Sequence, residues 1–301
     1  MKKIVCFLLL ILTLKSSAVN ACDKCACALN NSSFGILPLN HKNFIGLQYI
    51  KRSYTTKHTF TDQETIYHSR EEFQSLELRS KFQLAKRLQW YMLVPTQFNK
   101  QYENNTVTNI NGLGDIATFF NYTLLDNGDS INLKWKQNVQ LGAGMKLATG
   151  KYQKQDENNI LNPNLQSGTG SYDLIFDAIY TIRYKKWGIH NTALYRWNTA
   201  NPNRYKFGNR LSTSHTIFYW TNIRKLALLP SIGVSFEKTD ADTHNKFIVE
   251  NSGGTSINAT AAMDFYYKRW TLGANVTLPL HQQNPVTNNK INFGTTLYYA
   301  F

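Results

Sequence analysis

The chain has 301 residues, with 33 Lys and Arg against 19 Asp and Glu, a formal net charge of +14, and 17 Tyr, 17 Phe and 6 Trp. Its 4 Cys all lie before residue 28, which excludes a disulfide-stapled scaffold, and no later segment is long and apolar enough for a membrane-spanning helix. The mean hydropathy of −0.39 fits a soluble protein, and equally a membrane β-barrel, in which only alternate strand residues face lipid.

Lys2 and Lys3 precede an apolar run from Ile4 to Leu14, and small and polar residues follow up to Ala21. A basic head, a short apolar middle and a small-residue end form a secretory signal over residues 1–21. The expected mature chain starts at Cys22, is exported, and opens with a Cys-containing periplasmic segment, residues 22–42. Without Lys2, Lys3 and Lys15 the cations number 30 against 19 acidic groups. Exported proteins seldom bind nucleic acid, so none is expected as a partner.

From residue 43 onward the dominant period is two. Ile291, Phe293, Thr295, Leu297, Tyr299 and Phe301 share one face, with Asn292, Gly294 and Thr296 on the other. Trp270, Leu272, Ala274, Val276 and Leu278 likewise oppose Thr271, Gly273, Asn275 and Thr277. Sustained alternation predicts strands. About twelve of them are expected, near 43–55, 72–85, 87–98, 112–125, 132–148, 171–184, 187–198, 208–221, 225–238, 255–268, 269–281 and 290–301. Those near 187–198 and 208–221 alternate poorly, which leaves their facing open.

Connections alternate in length. The long ones fall near 56–71, 99–111, 149–170, 199–207, 239–254 and 282–289, and the short ones near 85–87, 126–130, 185–186, 222–224 and 268–269. This places all long loops at one end of a meander and all short turns at the other. The expected fold is all-β: one antiparallel up-and-down transmembrane barrel over residues 43–301, in a bacterial outer membrane, with both termini periplasmic. A soluble lipocalin-like barrel would share the alternation. Export, a face rich in Gly, Asn, Ser, Thr and charges, aromatics at strand ends and the terminal Phe301 favour the membrane. Phe301 resembles the terminal-aromatic signal read by the outer-membrane assembly machinery, an expected partner along with lipid.

The short turns repeat aromatic–basic pairs: "AKRLQW", "RYKKWG", "YWTNIRK" and "YYKRW". Their rings are expected at the membrane–water boundary, with Trp90, Tyr184, Trp187, Trp220, Tyr267, Trp270 and Phe301 forming a girdle and the cations standing among headgroups.

"CDKCACA" followed by "FGILPLNHKNFIGLQYIKRSY", with "GLGDI" (112–116), "KLATGKY" (146–152) and "NLQSGTGSYD" (164–173), resembles a group of exported Bacteroidetes outer-membrane proteins labelled "transporter". It is also similar to the MetA-like outer-membrane proteins linked to phenol-degradation operons. The resemblance covers nearly all the mature chain. Cys25-Ala26-Cys27 replaces the group's Cys-Gly-Cys, and Ser-Tyr-Asp its commoner Ser-Trp-Asp. It implies an outer-membrane channel or transport role without naming a solute.

By strand parity Glu77, Arg79, Lys81, Asp115, Lys136, Lys146, Asp173, Asp177, Arg183, Glu237 and Asp264 face the lumen. They form either a salt-bridged interior or a charged constriction that selects solutes. Gly142 and Gly144, on the same face as Lys146, are expected to leave room beside it. Cys22, Cys25 and Cys27 offer thiolates suited to Cu or Zn, but three ligands fall short of a closed zinc site. A disulfide with one thiol left over, or lipidation of Cys22, stays equally open. The Gly168-Thr169-Gly170 run lacks the helix and lysine of a phosphate loop. Ser212 and Ser214 lie on the strand face opposite His215, so no hydrolase pair forms and no enzyme is expected. Passive passage of small solutes leads. A metal-handling barrel and a surface structural or adhesive barrel are the alternatives.

Overall fold

The computed structural model describes residues 42–60, 63–103, 106–128, 133–152, 163–283 and 287–301. Residues 1–21, read above as a secretory signal, and Cys22, Cys25 and Cys27 lie outside the described residues.

The period-two segments pair as a closed antiparallel barrel of twelve strands. In chain order these are β1 (Phe44–Phe60), β2 (Gln63–Ala85), β3 (Leu88–Glu103), β4 (Ala117–Asp126), β5 (Trp135–Lys146), β6 (Asp173–Tyr184), β7 (Trp187–Trp197), β8 (Arg210–Tyr219), β9 (Leu226–Thr239), β10 (Gly254–Tyr267), β11 (Trp270–Gln283) and β12 (Asn292–Ala300). Each pairs with its chain neighbours, and β12 closes on β1 with Leu47 opposite Leu297. At this seam the Phe301 amide donates to the Asn43 carbonyl at 3.0 Å. Closure pairs the backbone groups that hydrocarbon would otherwise leave unsatisfied at several kcal/mol each.

Burial alternates with the pleat. On β1, Phe44, Gln48 and Ile50 are buried, whereas Ile45, Leu47 and Tyr49 are exposed. On β11, Thr271 and Thr277 are buried while Leu272 and Leu278 are exposed. Exposed large apolar side chains recur on every barrel strand, a surface far larger than the apolar patches of soluble proteins. It matches the lipid-facing band of a membrane barrel. Above this band the outward residues of β1 and β2 turn polar: Lys51 and Arg70 both pair with Glu72, at 3.5 Å and 2.5 Å.

The long connections near 56–71 and 99–111 are corrected by the structure, because both are mostly strand. β1 and β2 run on as a tall hairpin, and β3 continues to Glu103 against an added strand, Thr106–Leu113. The segment 205–206, 243–244 and 247–248 forms a separate three-stranded sheet. These pieces rise beyond the apolar band and are wet on their outer face, so they lack the hydrophobic alternation that marks a half-buried strand.

At the opposite end, Tyr184 faces Trp187 across the turn Lys185-Lys186, and Tyr267 faces Trp270 across Lys268-Arg269. Lys185 and Lys268 open these turns with φ of 53° and 54°, and each ammonium lies 5.4 Å over the ring of the preceding tyrosine. A left-handed backbone costs an L-residue about 1–2 kcal/mol. The cation–π contact offsets roughly half of that. Cross-strand pairs continue the girdle: Trp135 with Tyr184 at 4.7 Å, Trp187 with Tyr219 at 4.8 Å, and Trp270 with Tyr299 at 5.0 Å. Trp90 stacks on Phe82 at 5.6 Å, and Phe301 meets Phe82 edge-on. Trp220 departs from the expected girdle. It packs on Tyr266, which belongs with Phe218 and Leu229 to an apolar cluster on the inner face. Phe218 points inward, so Trp220, two residues on, follows the same parity.

Candidate functional site: a loop latch and a one-sided lumen

The three stretches "GLGDI", "KLATGKY" and "SGTGSYD" converge at the long-loop mouth. Asp115 precedes β4, Lys146 ends β5, and Asp173 starts β6. The Lys146 ammonium donates to Asp115 at 2.6 Å and lies 2.9 Å from Asp173. It also donates to the Thr169 hydroxyl and to the Ser171 carbonyl, the latter at 3.0 Å. Asp115 additionally accepts from the amides of Gly150 and Thr169, at 3.0 Å and 2.9 Å. Asp173 accepts from Ser171 Oγ and from the Thr199 amide. One buried cation thus holds two carboxylates, and their remaining lone pairs are met by loop amides and hydroxyls. Such a network is stable because each member is satisfied, and costly to break for the same reason.

This latch ties down both ends of the connection between β5 and β6. The two strands of the loop touch backbone to backbone: a Cβ added to Gly168 would lie 2.5 Å from the Gly150 Cα. Beyond the latch the loop turns into the barrel. Leu165, in a short 3₁₀ turn (Pro163–Leu165), is 1% exposed and packs on the inward-facing Tyr54 and Phe73. The Asn99 amide donates to the Leu165 carbonyl at 2.9 Å. Loops from the next hairpins interlock above. Asn201 donates to the Thr169 carbonyl, and Tyr205 donates to Asp242 at 2.6 Å. Burial among these loops pushes the Tyr152 phenol up, a hydrogen bond with Asn201 opposes it, and the Asp242 charge adds to the rise.

Inside, the barrel is filled on one side. Tyr91, Leu93, Phe119, Ile175 and Leu194 form an apolar cluster contributed by β3, β4, β6 and β7. Beneath the latch the acidic and basic groups are paired or capped. Arg79 donates to Glu77 through Nε and Nη2, at 2.9 Å and 2.7 Å, with both side chains fully buried. Asn121 donates to Asp177 at 2.7 Å. Lys81 is buried two residues below Arg79. Lys136 stands opposite Arg183 near the turn end and donates to the Gly128 carbonyl. Glu237 accepts from Ser212 at 3.2 Å and lies 3.5 Å from Arg210, while Asp264 lies on the cavity wall. The lumen candidates are therefore gathered into a triad at the long-loop mouth (Asp115, Lys146, Asp173), a buried pair (Glu77, Arg79) and separate single positions, rather than into one charged ring.

The room expected beside Gly142 and Gly144 is already filled. A Cβ at Gly142 would meet Asp177 and Asn121, and one at Gly144 would meet Phe119. The open space lies elsewhere, as a cavity of about 140 Å³ along β1 and β7–β12. It reaches from Tyr54 and Asn289 near the long-loop end to Thr271 beside the short turn at the other end. Sequence reasoning missed Arg52, Arg196 and Arg210, all buried on inner faces. Arg196 and Arg210 fall on the two strands whose alternation is blurred, because Leu194 and Phe218 are apolar yet point inward.

No family model matches the chain, and no curated protein matches it. Among solved structures, the chain is similar to an outer membrane channel from Pseudomonas putida F1, at 14% identity and a TM-score of 0.65, over 86% of this chain and 96% of that one. It is also similar to the β-domain of the Bordetella autotransporter BrkA, at 10% identity and a TM-score of 0.50, over 86% of this chain and 99% of that one. At these identities the likeness is one of fold: the chain has the architecture of an outer-membrane β-barrel.

Proposed function

We propose that the protein is a passive outer-membrane channel for small polar solutes, without enzymatic activity. The observation that carries this reading is a polar cavity running along most of the barrel height, inside a wall whose outer surface is apolar on every strand. A wall of that kind lies in lipid, and a wet lumen inside it offers a path across the membrane. The described part of the loop between β5 and β6, seated on Tyr54 and Phe73, narrows this path at the outer end. The short turns and both ends of the barrel share the other rim, which we assign to the periplasm. The exposed Lys86, Arg87, Lys185, Lys186, Arg224, Lys225, Lys268 and Arg269 meet anionic headgroups there.

Purified protein in planar bilayers and in liposomes tests the reading. It is supported by discrete conductance steps or by solute-driven swelling above protein-free vesicles. Absence of both, with the barrel shown folded by heat-modifiable migration, overturns it.

A further inference from the structure

Two ion-paired groups of the lumen lie outside the wall of its open cavity. Arg79 and Glu77 are fully buried against each other, and Lys146 is enclosed by Asp115 and Asp173. The open cavity is walled instead by short neutral polar side chains from β8 to β11, including Ser212, Ser214, Ser235, Ser256, Thr260 and Thr277. Thr260 and Thr277 lie 3.1 Å apart, oxygen to oxygen, and Asn258 donates to Ser256 at 3.3 Å. Its acidic groups are Glu237, already engaged by Ser212 and Arg210, and Asp264. Its cation is Arg52, across the cavity on β1. The wall thus offers many groups that both donate and accept hydrogen bonds, with little net charge.

Such a wall suits one kind of traveller. A hydroxyl-rich neutral solute exchanges its water hydrogen bonds for equivalent ones to Ser, Thr and Asn, so its transfer is nearly balanced. An ion entering the same space leaves high-dielectric water and finds few opposite charges that are not already paired, so its cost is not repaid. A volume of about 140 Å³ holds on the order of ten waters, enough for one small solute with part of its shell. We propose that this face of the lumen conducts neutral polyhydroxylated solutes, the polyol and small-sugar class, in preference to ions of similar size. The proposal rests on the channel reading above and names its substrate class.

Liposome swelling with matched probes tests it. Glycerol, arabinose and glucose are compared with gluconate and with KCl-driven conductance in the same preparation. The expected result is that glucose enters about tenfold faster than gluconate, the ratio for a barrier difference of 1.4 kcal/mol. A Ser235→Leu/Thr260→Leu double variant should cut arabinose and glucose flux by about tenfold while keeping the heat-modifiable barrel, since two apolar groups replace exchangeable hydroxyls. A Thr260→Asp variant should raise cation over anion conductance and spare glycerol. Gluconate entering as fast as glucose, or a double variant with unchanged sugar flux, overturns the substrate class and leaves the channel standing. No flux of sugar, gluconate or ion overturns both.

Discussion

Lys146 Nζ lies 2.6 Å from Asp115 Oδ2, and this ion pair adds to the backbone pairing of Lys146 with Ala117 that joins the end of β5 to the start of β4 at the long-loop mouth. Asp173 shares the same cation from the third side. Replacing Lys146 by Met leaves two buried carboxylates facing each other without a counter-charge, a change that costs about 3–5 kcal/mol in buried pairs. The expected outcome is release of the loop that the latch holds. Single-channel recordings of Lys146→Met should show higher and noisier conductance than wild type, with protease cleavage between residues 150 and 168 appearing in intact vesicles. A quiet trace of wild-type amplitude would show that the latch does not restrain the loop.

The described return arm of that loop makes a second, independent prediction. Leu165 is 1% exposed between Tyr54 and Phe73. Leu165→Ala removes a buried side chain worth about 2–5 kcal/mol, and the loss falls on the seating of the loop rather than on the strand ladder. Conductance should rise while the urea midpoint of the barrel shifts little. A large drop in barrel stability with unchanged conductance would assign Leu165 to the general core.

Glu77 and Arg79 predict the reverse pattern. Both side chains are fully buried on β2 and do not themselves line the open cavity. Glu77→Gln leaves the guanidinium without its charge partner, and equilibrium unfolding in lipid vesicles should show a loss of about 3–5 kcal/mol. Solute selectivity of the refolded fraction should match wild type.

The girdle can be read by fluorescence. Trp187 and Trp270 are exposed beside Tyr219 and Tyr299, whereas Trp220 rests on the inner-face residue Tyr266. In variants that keep a single tryptophan, lipids brominated near the headgroup should quench Trp187 and Trp270 strongly and Trp220 weakly. Equal quenching of all three would place Trp220 on the lipid side. Replacing Trp270 by Ala should also cost about 0.5–1.5 kcal/mol beyond its lost area, and a double-mutant cycle with Tyr299→Phe or Tyr299→Ala measures that coupling.

Within the membrane the sequence is a sound guide to this barrel. Lipid on one side and a polar lumen on the other force opposite chemistry on alternate residues, so segments such as Trp270–Leu280 and Ile291–Phe301 announce both their strand state and their facing. The rule fails wherever one of its two solvents is missing. Above the apolar band both faces are polar, and Thr56, Lys57 and their neighbours read as loop although they are paired strand. Inside the barrel, Leu194 and Phe218 pack against other side chains instead of water, so the two strands that carry Arg196 and Arg210 lost their legible period.

The sequence by itself determined the twelve-strand meander and its long and short ends, because the alternation that marks each strand depends on neighbours one or two positions apart. Only the tertiary structure decided which charges meet, that the stretches around Asp115, Lys146 and Thr169 form one latch, and that the space lies along β7–β12 rather than beside Gly142 and Gly144. Those outcomes depend on strand register, closure of the barrel and the inward turn of a loop, which bring together residues tens of positions apart that no local pattern relates.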